Sequence, residues 1–372
     1  MSSLLAAALL LGQAFAVDRT LGFNSAPVIE NRTIEAIYKA ALEEGGVVTC
    51  WHGGDEVQQM DFLKDAFKNK FPNMTLNLIV DLSKYHDGRI DEQLAAKNVS
   101  VDSIILQTLH DFPRWAQEGA LMNYAPLGLD EVHPAFKDSA SASWYGLELF
   151  FWSNIWSPQK LPGANFSTFD EFLKPEFKGK LVMTYPNDDD AVLFAFDLVM
   201  QQKGAAWFDK LLAQQPQWVR GTASPVTLIQ QSNSTVAATF TSAVGFNAEP
   251  GINSTFPTDG QFVSWPQTGA ILKDAPHPEG AKLLHSFMLS AEFQQSLGWS
   301  VRRDVPPPAG FPDVMSMTST NPTAFAAWMA DRGKVERLRF WFEDRIGSAQ
   351  GKSPLVDDIS PKLSVKRLAR PG

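Results

Sequence analysis

The chain has 372 residues, 44% of them hydrophobic, and a formal net charge of −9. Its length predicts two domains, its apolar content excludes global disorder, and its negative charge argues against nucleic acid or an anionic membrane as a partner. The single cysteine, Cys50, excludes an internal disulfide, so an apolar core must hold the fold together.

The N-terminus has the pattern of a secretory signal peptide over residues 1–16. Residues 4–11 are almost entirely apolar, and Ala14-Phe15-Ala16 is a small-x-small cleavage site before Val17. The segment has no Lys or Arg, which is more typical of a eukaryotic signal. The apolar stretch is too short to span a membrane, and no later run is long enough. The sequence therefore predicts a secreted, extracellular protein (periplasmic if bacterial) without membrane insertion.

Asn-x-Ser/Thr sequons support a secreted protein, because they are the acceptors of N-glycans. Six of the 14 Asn begin such a sequon, where roughly two would be expected by chance at ordinary Ser and Thr content. The predicted glycosylation sites are Asn31, Asn73, Asn98, Asn165, Asn233 and Asn253.

Strands and helices alternate along the chain, which predicts the α/β class with mostly parallel strand pairing. The predicted helices cover 31/33–44, 57–70, 86–97, 111–118, 168–174, 191–202, 204–214, 224–232, 278–289, 291–298 and 323–346. The predicted strands cover 47–51, 75–80, 101–107, 144–156, 180–185, 236–240 and 262–272.

Two distant stretches, 46–70 and 179–202, share one plan: a strand, a polar loop and a helix. This plan is the usual ligand edge of an open α/β sheet, so two copies predict two lobes with a cleft between them. The long apolar strand 144–156 is expected to cross from one lobe to the other, and the helix at 323–346 to pack on the first lobe. The predicted division is lobe 1 at 30–152 and 262–350, lobe 2 at 153–261, and a basic tail at 351–372.

Several motifs occur in an order and spacing that resemble one family. They are Glu44-Gly45-Gly46-Val47-Val48, Trp144-Tyr145-Gly146 to Asn154, Phe169-Asp170-Glu171-Phe172 with Phe177-Lys178-Gly179-Lys180, and His277-Pro278-Glu279-Gly280-Ala281-Lys282 with Ser290-Ala291-Glu292-Phe293-Gln294. Over about residues 34–305 the chain resembles the extracellular solute-binding proteins of ABC importers, in the group of ferric-iron, thiamine and polyamine binders.

The resemblance implies a type II periplasmic-binding-protein fold with a discontinuous first lobe. It also implies capture of a small-molecule ligand by hinge closure, and an ABC importer as partner only if the source is bacterial. Ferric-iron members use adjacent tyrosines in the second lobe. The matching region here, 241–246, contains no tyrosine, so a tyrosinate iron site is not expected.

Candidate ligand-binding residues follow the ends of the predicted strands. Three successive Asp at 188–190 exceed what capping a helix requires, although a capped, solvated turn remains an alternative. Carboxylates at a helix N-terminus use the amide donors that an anion would need, and they would repel it. They predict a cationic or polyhydroxylated ligand. The candidate residues are His52, Asp55, Gln107, Asn187, Asp188, Asp189, Thr241 and Trp265.

Signatures of the common hydrolases, nucleotide binders and zinc enzymes are absent, so the sequence predicts no catalysis, no cofactor and no metal site. The protein is expected to be a monomer. Two alternatives remain. A secreted hydrolase using cleft carboxylates would lose turnover on Asp188→Asn, and a non-catalytic interaction module with a degenerate pocket would have its pocket blocked by aromatic residues. Ligand-induced compaction without turnover would favour the binding protein.

Overall fold

The computed structural model describes residues 26–246, 250–351, 353 and 355. The predicted signal peptide and almost all of the predicted basic tail lie outside these residues. Strands in the described part are β1 Val28–Ile29, β2 Val47–Gly53, β3 Thr75–Asp81, β4 Ser103–Leu106, β5 Tyr124–Ala125, β6 Tyr145–Phe151, β7 Ser153–Trp156, β8 Val182–Thr184, β9 Gln217–Val219, β10 Ala238–Ser242, β11 Asn253–Thr255 and β12 Ser264–Ile271.

Helices follow most of these strands and cover their sheets. They are α1 Ile34–Glu43, α2 Asp61–Lys70, α3 Ser83–Ala96, α4 Asp111–Gln117, α5 Asp190–Lys203, α6 Ala206–Ala213, α7 Ser224–Gln230, α8 Pro278–Met288, α9 Ala291–Ser296, α10 Ala324–Ala330 and α11 Arg332–Ile346. Short 3₁₀ turns connect some of them, including Phe169–Leu173, where an α-helix was predicted.

The first lobe is built on a five-stranded sheet in the order β3-β2-β4-β12-β6. β2 pairs in parallel with β3 and β4, whereas β12 runs antiparallel to β4 and β6. β12 comes from the far end of the sequence, so this lobe is discontinuous, as predicted. Helices α1 and α8 cover one face, and the side chains of Ile37, Ala41, Leu283 and Leu284 are fully buried there.

The second lobe has a separate sheet. β7 lies between β10 and β11 in antiparallel pairing, β8 pairs with β9 in parallel, and a parallel bridge from Leu181 to Ala238 connects the two groups. The expectation of mostly parallel pairing was therefore wrong. The strands that cross between the lobes return antiparallel to their neighbours, which makes the sheets mixed.

The crossover lies at Trp152. The predicted single strand 144–156 is divided there into β6, which pairs in the first lobe, and β7, which pairs in the second. The backbone N–H of Trp152 donates to the carbonyl of Val263 at 2.9 Å, so the outgoing and returning segments run side by side.

The C-terminal helices pack on the second lobe, so the predicted contact with the first lobe was wrong. The ring of Phe342 lies 4.9 Å from Phe208 and 5.5 Å from Phe196, centroid to centroid. The predicted helix 323–346 is divided at Asp331, whose side chain caps α11 by accepting from the N–H of Lys334. We propose the predicted lobe boundaries with one change: α10 and α11 join the second lobe.

Three observations bear on the remaining sequence predictions. Cys50 is fully buried in β2, and burial raises the pKa of its thiol to about 12, which suits a packing role. None of the helices in the described ranges combines the length and apolar character needed to cross a bilayer. Every predicted glycosylation asparagine is exposed: Asn31, Asn73, Asn98, Asn165, Asn233 and Asn253.

Candidate ligand-binding site

A cleft between the lobes is lined by the loops that follow their strands. It encloses a cavity of about 50 Å³, room for a few water molecules or a very small solute. The first lobe contributes the loop after β2, the start of α3 and the end of β4, and the second contributes the N-termini of α5 and α7. The lining residues include Asp55, Ser83, Lys84, Gln107, Thr108, Phe150, Trp152, Asp188, Asp189, Asp190, Thr222, Trp265 and Gln267.

Glycine is required where the β2 loop meets α3. A Cβ at Gly53 would overlap the hydroxyl oxygen of Ser83, and one at Gly54 would lie 2.6 Å from Oε1 of Gln59. The Ser83 hydroxyl in turn accepts a hydrogen bond from the N–H of Gln107 at 3.1 Å. The two glycines thus allow the β2 loop, α3 and β4 to meet at one edge of the sheet.

Direct hydrogen bonds join the two lobes across this cleft. Lys84 Nζ donates to Asp188 Oδ1 at 2.9 Å and to the Asp188 carbonyl at 2.7 Å. Gln107 Nε2 donates to Asp189 Oδ2 at 3.0 Å. Asp55 Oδ2 accepts from both the backbone N–H and the hydroxyl of Thr222. The lobes are therefore in a closed arrangement.

Two of the four cleft aspartates are neutralised by the protein itself. Asp188 forms ion pairs with Lys84 and with Arg220, whose Nε lies 2.8 Å from Asp188 Oδ2. Burial raises the pKa of Asp188, but the hydrogen bonds and charges of these two cations outweigh it and lower the pKa. Asp190 is paired with Arg339 of α11. These two carboxylates therefore carry little uncompensated charge.

The other two aspartates, Asp55 and Asp189, have no ion-pair partner within the described ranges. Asp189 caps α5 by accepting from the N–H of Val192, and otherwise accepts from Gln107. Burial, together with the charge of Asp55, raises its pKa to about 6. Burial also raises the pKa of Asp55. One uncompensated carboxylate from each lobe therefore faces the cleft.

Two residues with unpartnered polar atoms line the same cleft as these carboxylates. Thr108 and Trp152 are only 2% and 8% exposed, and neither the Thr108 hydroxyl nor the Trp152 indole N–H has a hydrogen-bond partner among the described residues. By contrast, the indole N–H of Trp265 donates to Gln267 Oε1 at 3.1 Å. Because buried polar groups are normally paired, a ligand in the cleft could supply partners for these two atoms.

Aromatic rings form the apolar wall. Trp265 lies nearly parallel to Phe150, with 5.6 Å between ring centroids and 23° between planes, and edge-on to Trp152 at 5.1 Å. Such a wall can cover an apolar or cationic part of a ligand. The predicted stacking role of Trp265 remains a proposal.

Five of the eight predicted ligand-binding residues line the cleft: Asp55, Gln107, Asp188, Asp189 and Trp265. His52 instead lies fully buried outside the lining, with Nδ1 2.8 Å from the Gly53 carbonyl and Nε2 3.6 Å from Glu148. Asn187 donates to the carbonyl of Gly347, and the Thr241 hydroxyl accepts from the N–H of Thr184. We leave these three residues out of the site proposed below.

Lys84, Thr222 and Trp152 were not predicted as site residues. Lys84 had a usable signal, because it begins a helix directly after β3 and therefore belongs to a third strand–helix edge. Trp152 was hidden within the apolar run 144–156, and Thr222 lies in a loop without a distinctive pattern. Among the described residues, no group of three or more His, Cys, Asp or Glu side chains could hold a metal ion.

The chain belongs to the bacterial extracellular solute-binding protein family, whose profile matches residues 63–327. This confirms the resemblance found in the sequence. No curated protein sequence matches the chain.

Three solved structures share the two-lobed fold. The substrate-binding protein of an ABC transporter from Agrobacterium tumefaciens is 15% identical, with a TM-score of 0.66, over 80% of this chain and 93% of that one. Fructose-6-phosphate-bound AfuA from Actinobacillus pleuropneumoniae is 16% identical (TM-score 0.64; 82% and 100% covered). Iron-bound HitA from Pseudomonas aeruginosa is 14% identical, with a TM-score of 0.58, over 80% of this chain and 99% of that one. At such identities the likeness establishes the fold alone.

Proposed function

We propose that this protein captures a small cationic or polyhydroxylated ligand in the cleft between its lobes and has no catalytic activity. One observation carries the proposal: Asp55 and Asp189, from opposite lobes, face the cleft without a cationic partner within the described ranges. The open form would admit the ligand, and closure about the crossover would bury it. Membership of a solute-binding family agrees with this mode of action.

The charge of the cleft argues against an anionic ligand. Two unit charges about 4 Å apart interact by about 4 kcal/mol at an effective dielectric constant near 20, so an anion beside Asp55 or Asp189 would be strongly disfavoured. The α5 N-terminus is already capped by Asp189, which occupies the amide of Val192. We therefore propose a ligand class different from the sugar phosphate bound to AfuA.

We expect isothermal titration calorimetry to detect binding of organic ammonium compounds or polyols, and not of phosphate esters. Small-angle X-ray scattering with the bound compound should show a smaller radius of gyration than the free protein, and the compound should be recovered unchanged. Tight binding of a phosphate ester would contradict the charge argument. Conversion of the compound, abolished by Asp188→Asn, would instead support the hydrolase.

The small cavity supports a second candidate function. A volume of about 50 Å³ beside Phe150, Trp152 and Trp265 is what an interaction module with a degenerate pocket would show. Native mass spectrometry of freshly purified protein separates the two candidates. A retained small molecule favours solute capture, whereas an empty protein that shows no compaction with any compound favours the interaction module.

We also propose that the protein is secreted as a glycosylated monomer, starting near Val17. In support, all six sequon asparagines are exposed. N-terminal sequencing of the protein from its native source should begin near Val17, and endoglycosidase treatment should lower its mass. An intact Met1 with no change in mass would contradict the secretory proposal. An ABC importer would be the partner if the source is bacterial.

A further inference from the structure

We infer that the ligand is a small organic ammonium compound that also carries a hydroxyl or carbonyl oxygen, with its ammonium group held between Asp55 and Asp189. The inference rests on the proposed function, because it assumes that the cleft binds a solute. It goes further by assigning each end of the ligand to particular atoms of the cleft.

Charge compensation is uneven among the four aspartates of the cleft. Asp188 and Asp190 have the cations Lys84, Arg220 and Arg339 within ion-pairing distance, so they do not require a charge from a ligand. Asp55 is buried and Asp189 is partly buried, and both receive hydrogen bonds only from neutral groups. An ammonium group has several N–H donors and a positive charge, which is what two uncompensated carboxylates lack.

Two residues that line the cleft, Trp152 and Thr108, have polar atoms without a hydrogen-bond partner among the described residues. The indole N–H of Trp152 is a donor and cannot accept, so only an acceptor on the ligand can satisfy it. The Thr108 hydroxyl can donate or accept. A simple alkylammonium would leave the indole N–H unpaired. A hydroxyl or carbonyl oxygen on the same ligand would pair with it.

The apolar wall and the small volume of the cavity restrict the ligand further. The stacked rings of Phe150 and Trp265 offer a face that suits the methylene groups next to an ammonium nitrogen. The closed cavity of about 50 Å³ admits only a few non-hydrogen atoms. These limits favour a short amino alcohol or a compound of similar size.

Competing ligand types fit less well. A neutral polyol would satisfy Trp152 and Thr108 but leave both carboxylates uncompensated. A metal ion such as Ca²⁺ needs six to eight oxygen ligands. The described residues contain no cluster of side chains that could hold a metal ion in the cleft. The ammonium compound alone accounts for both the carboxylates and the unpaired indole N–H.

Matched pairs of probes test the inference by calorimetry at pH 7.5. Ethanolamine is compared with ethylene glycol, and 2-amino-1,3-propanediol with glycerol, because each pair differs only in an ammonium group replacing a hydroxyl. We expect the amino compound of each pair to bind at least about tenfold more tightly. Ethylamine should bind more weakly than ethanolamine, and in the Trp152→Phe variant that difference should disappear.

Two isosteric variants test which carboxylate binds the ammonium group. In Asp189→Asn the preference for the amino compounds should be lost, whereas in Asp190→Asn, which alters a paired carboxylate in the same wall, it should persist. Because burial holds the pKa of Asp189 at about 6, the wild-type affinity for ethanolamine should fall about tenfold between pH 7.5 and pH 5. The Asp189→Asn variant should show a smaller fall, because Asp55, whose pKa burial also raises, still titrates beside the ligand.

The outcomes separate failure of this inference from failure of the proposed function. Polyols that bind as tightly as their amino counterparts, equally in wild type and Asp189→Asn, would overturn the inference and leave solute capture intact. If no probe binds and native mass spectrometry finds no retained molecule, both the inference and the proposed function are contradicted.

Discussion

The Asp189→Asn variant is expected to raise the free energy of unfolding of the ligand-free protein by about 3 kcal/mol at pH 7.5. Burial holds the pKa of this carboxyl at about 6 instead of 3.8, and each pKa unit corresponds to about 1.4 kcal/mol. Because the pKa of Asp189 is raised in the folded state, its contribution to the free energy of unfolding is fully present below pH 3.8. This contribution is lost as the pH rises through 6. At pH 7.5 the ionised carboxylate therefore destabilises the fold by nearly the full amount.

The substitution should preserve the local structure. Asn is as good a helix cap as Asp, so its side-chain oxygen can still accept from the N–H of Val192. The amide of Gln107 can rotate to present its oxygen to the new side-chain NH₂ group. The gain in the free energy of unfolding therefore measures the effect of the Asp189 charge alone.

Urea unfolding at pH 7.5 and pH 4 measures the effect, and the difference between variant and wild type should nearly vanish at pH 4. Asp190→Asn is the matched control, since it breaks the ion pair with Arg339 and should give no gain. If Asp189→Asn is less stable than wild type at both pH values, Asp189 is compensated in the folded protein. If Asp189→Asn is instead more stable at pH 7.5, the wild-type protein gives up stability at this position to keep a charged ligand site, as functional sites often require.

Acidification from pH 7 to pH 4.5 is expected to remove about 3 kcal/mol of stability through His285 alone. This ring, on α8, is fully buried against the sheet of the first lobe, with hydrogen bonds of 2.7 Å to Ser103 Oγ of β4 and 2.8 Å to the Tyr145 hydroxyl of β6. Burial lowers its pKa from 6.5 to about 3. A lowered folded-state pKa contributes stability that is fully present above pH 6.5 and is lost as pH falls toward 3.

His285→Gln should lessen this acid sensitivity, because Gln can bond to both neighbours and does not titrate. The comparison is urea unfolding of variant and wild type at pH 7 and pH 4.5. Ser103→Ala is the control, since it removes one hydrogen bond to the same ring and should leave the acid sensitivity itself in place. A His285→Gln variant that loses as much stability on acidification as the wild type would show that other groups dominate.

Local patterns in the sequence were sufficient for the fold class and for much of the cleft. The α5 N-terminus illustrates this: a buried strand, a polar loop and a capping Asp189 are all encoded within ten residues, and the same plan at 46–70 predicted the opposite wall. Such elements depend on short-range hydrogen bonding and hydrophobic periodicity, which a sequence shows directly. The order of the motifs was enough to indicate the family.

Packing between distant elements was not predictable in the same way. The apolar face of α11 is satisfied by any apolar surface, so the sequence did not reveal that Phe342 would meet Phe196 and Phe208 in the second lobe. The run 144–156 predicted the crossing between the lobes, but it did not show that the strand is divided in two at Trp152, because both halves are equally apolar and buried.

The charge of the site was decided by tertiary structure alone. Nothing in the sequence distinguishes the three successive Asp at 188–190. In the structure, Lys84 and Arg220 neutralise Asp188, and Arg339 neutralises Asp190. Asp189 forms no ion pair among the described residues. These partners lie between 32 and 149 positions away in the chain. Coulomb interactions act through space over a few ångströms, so only the fold determines which carboxylate stays unpaired for a ligand.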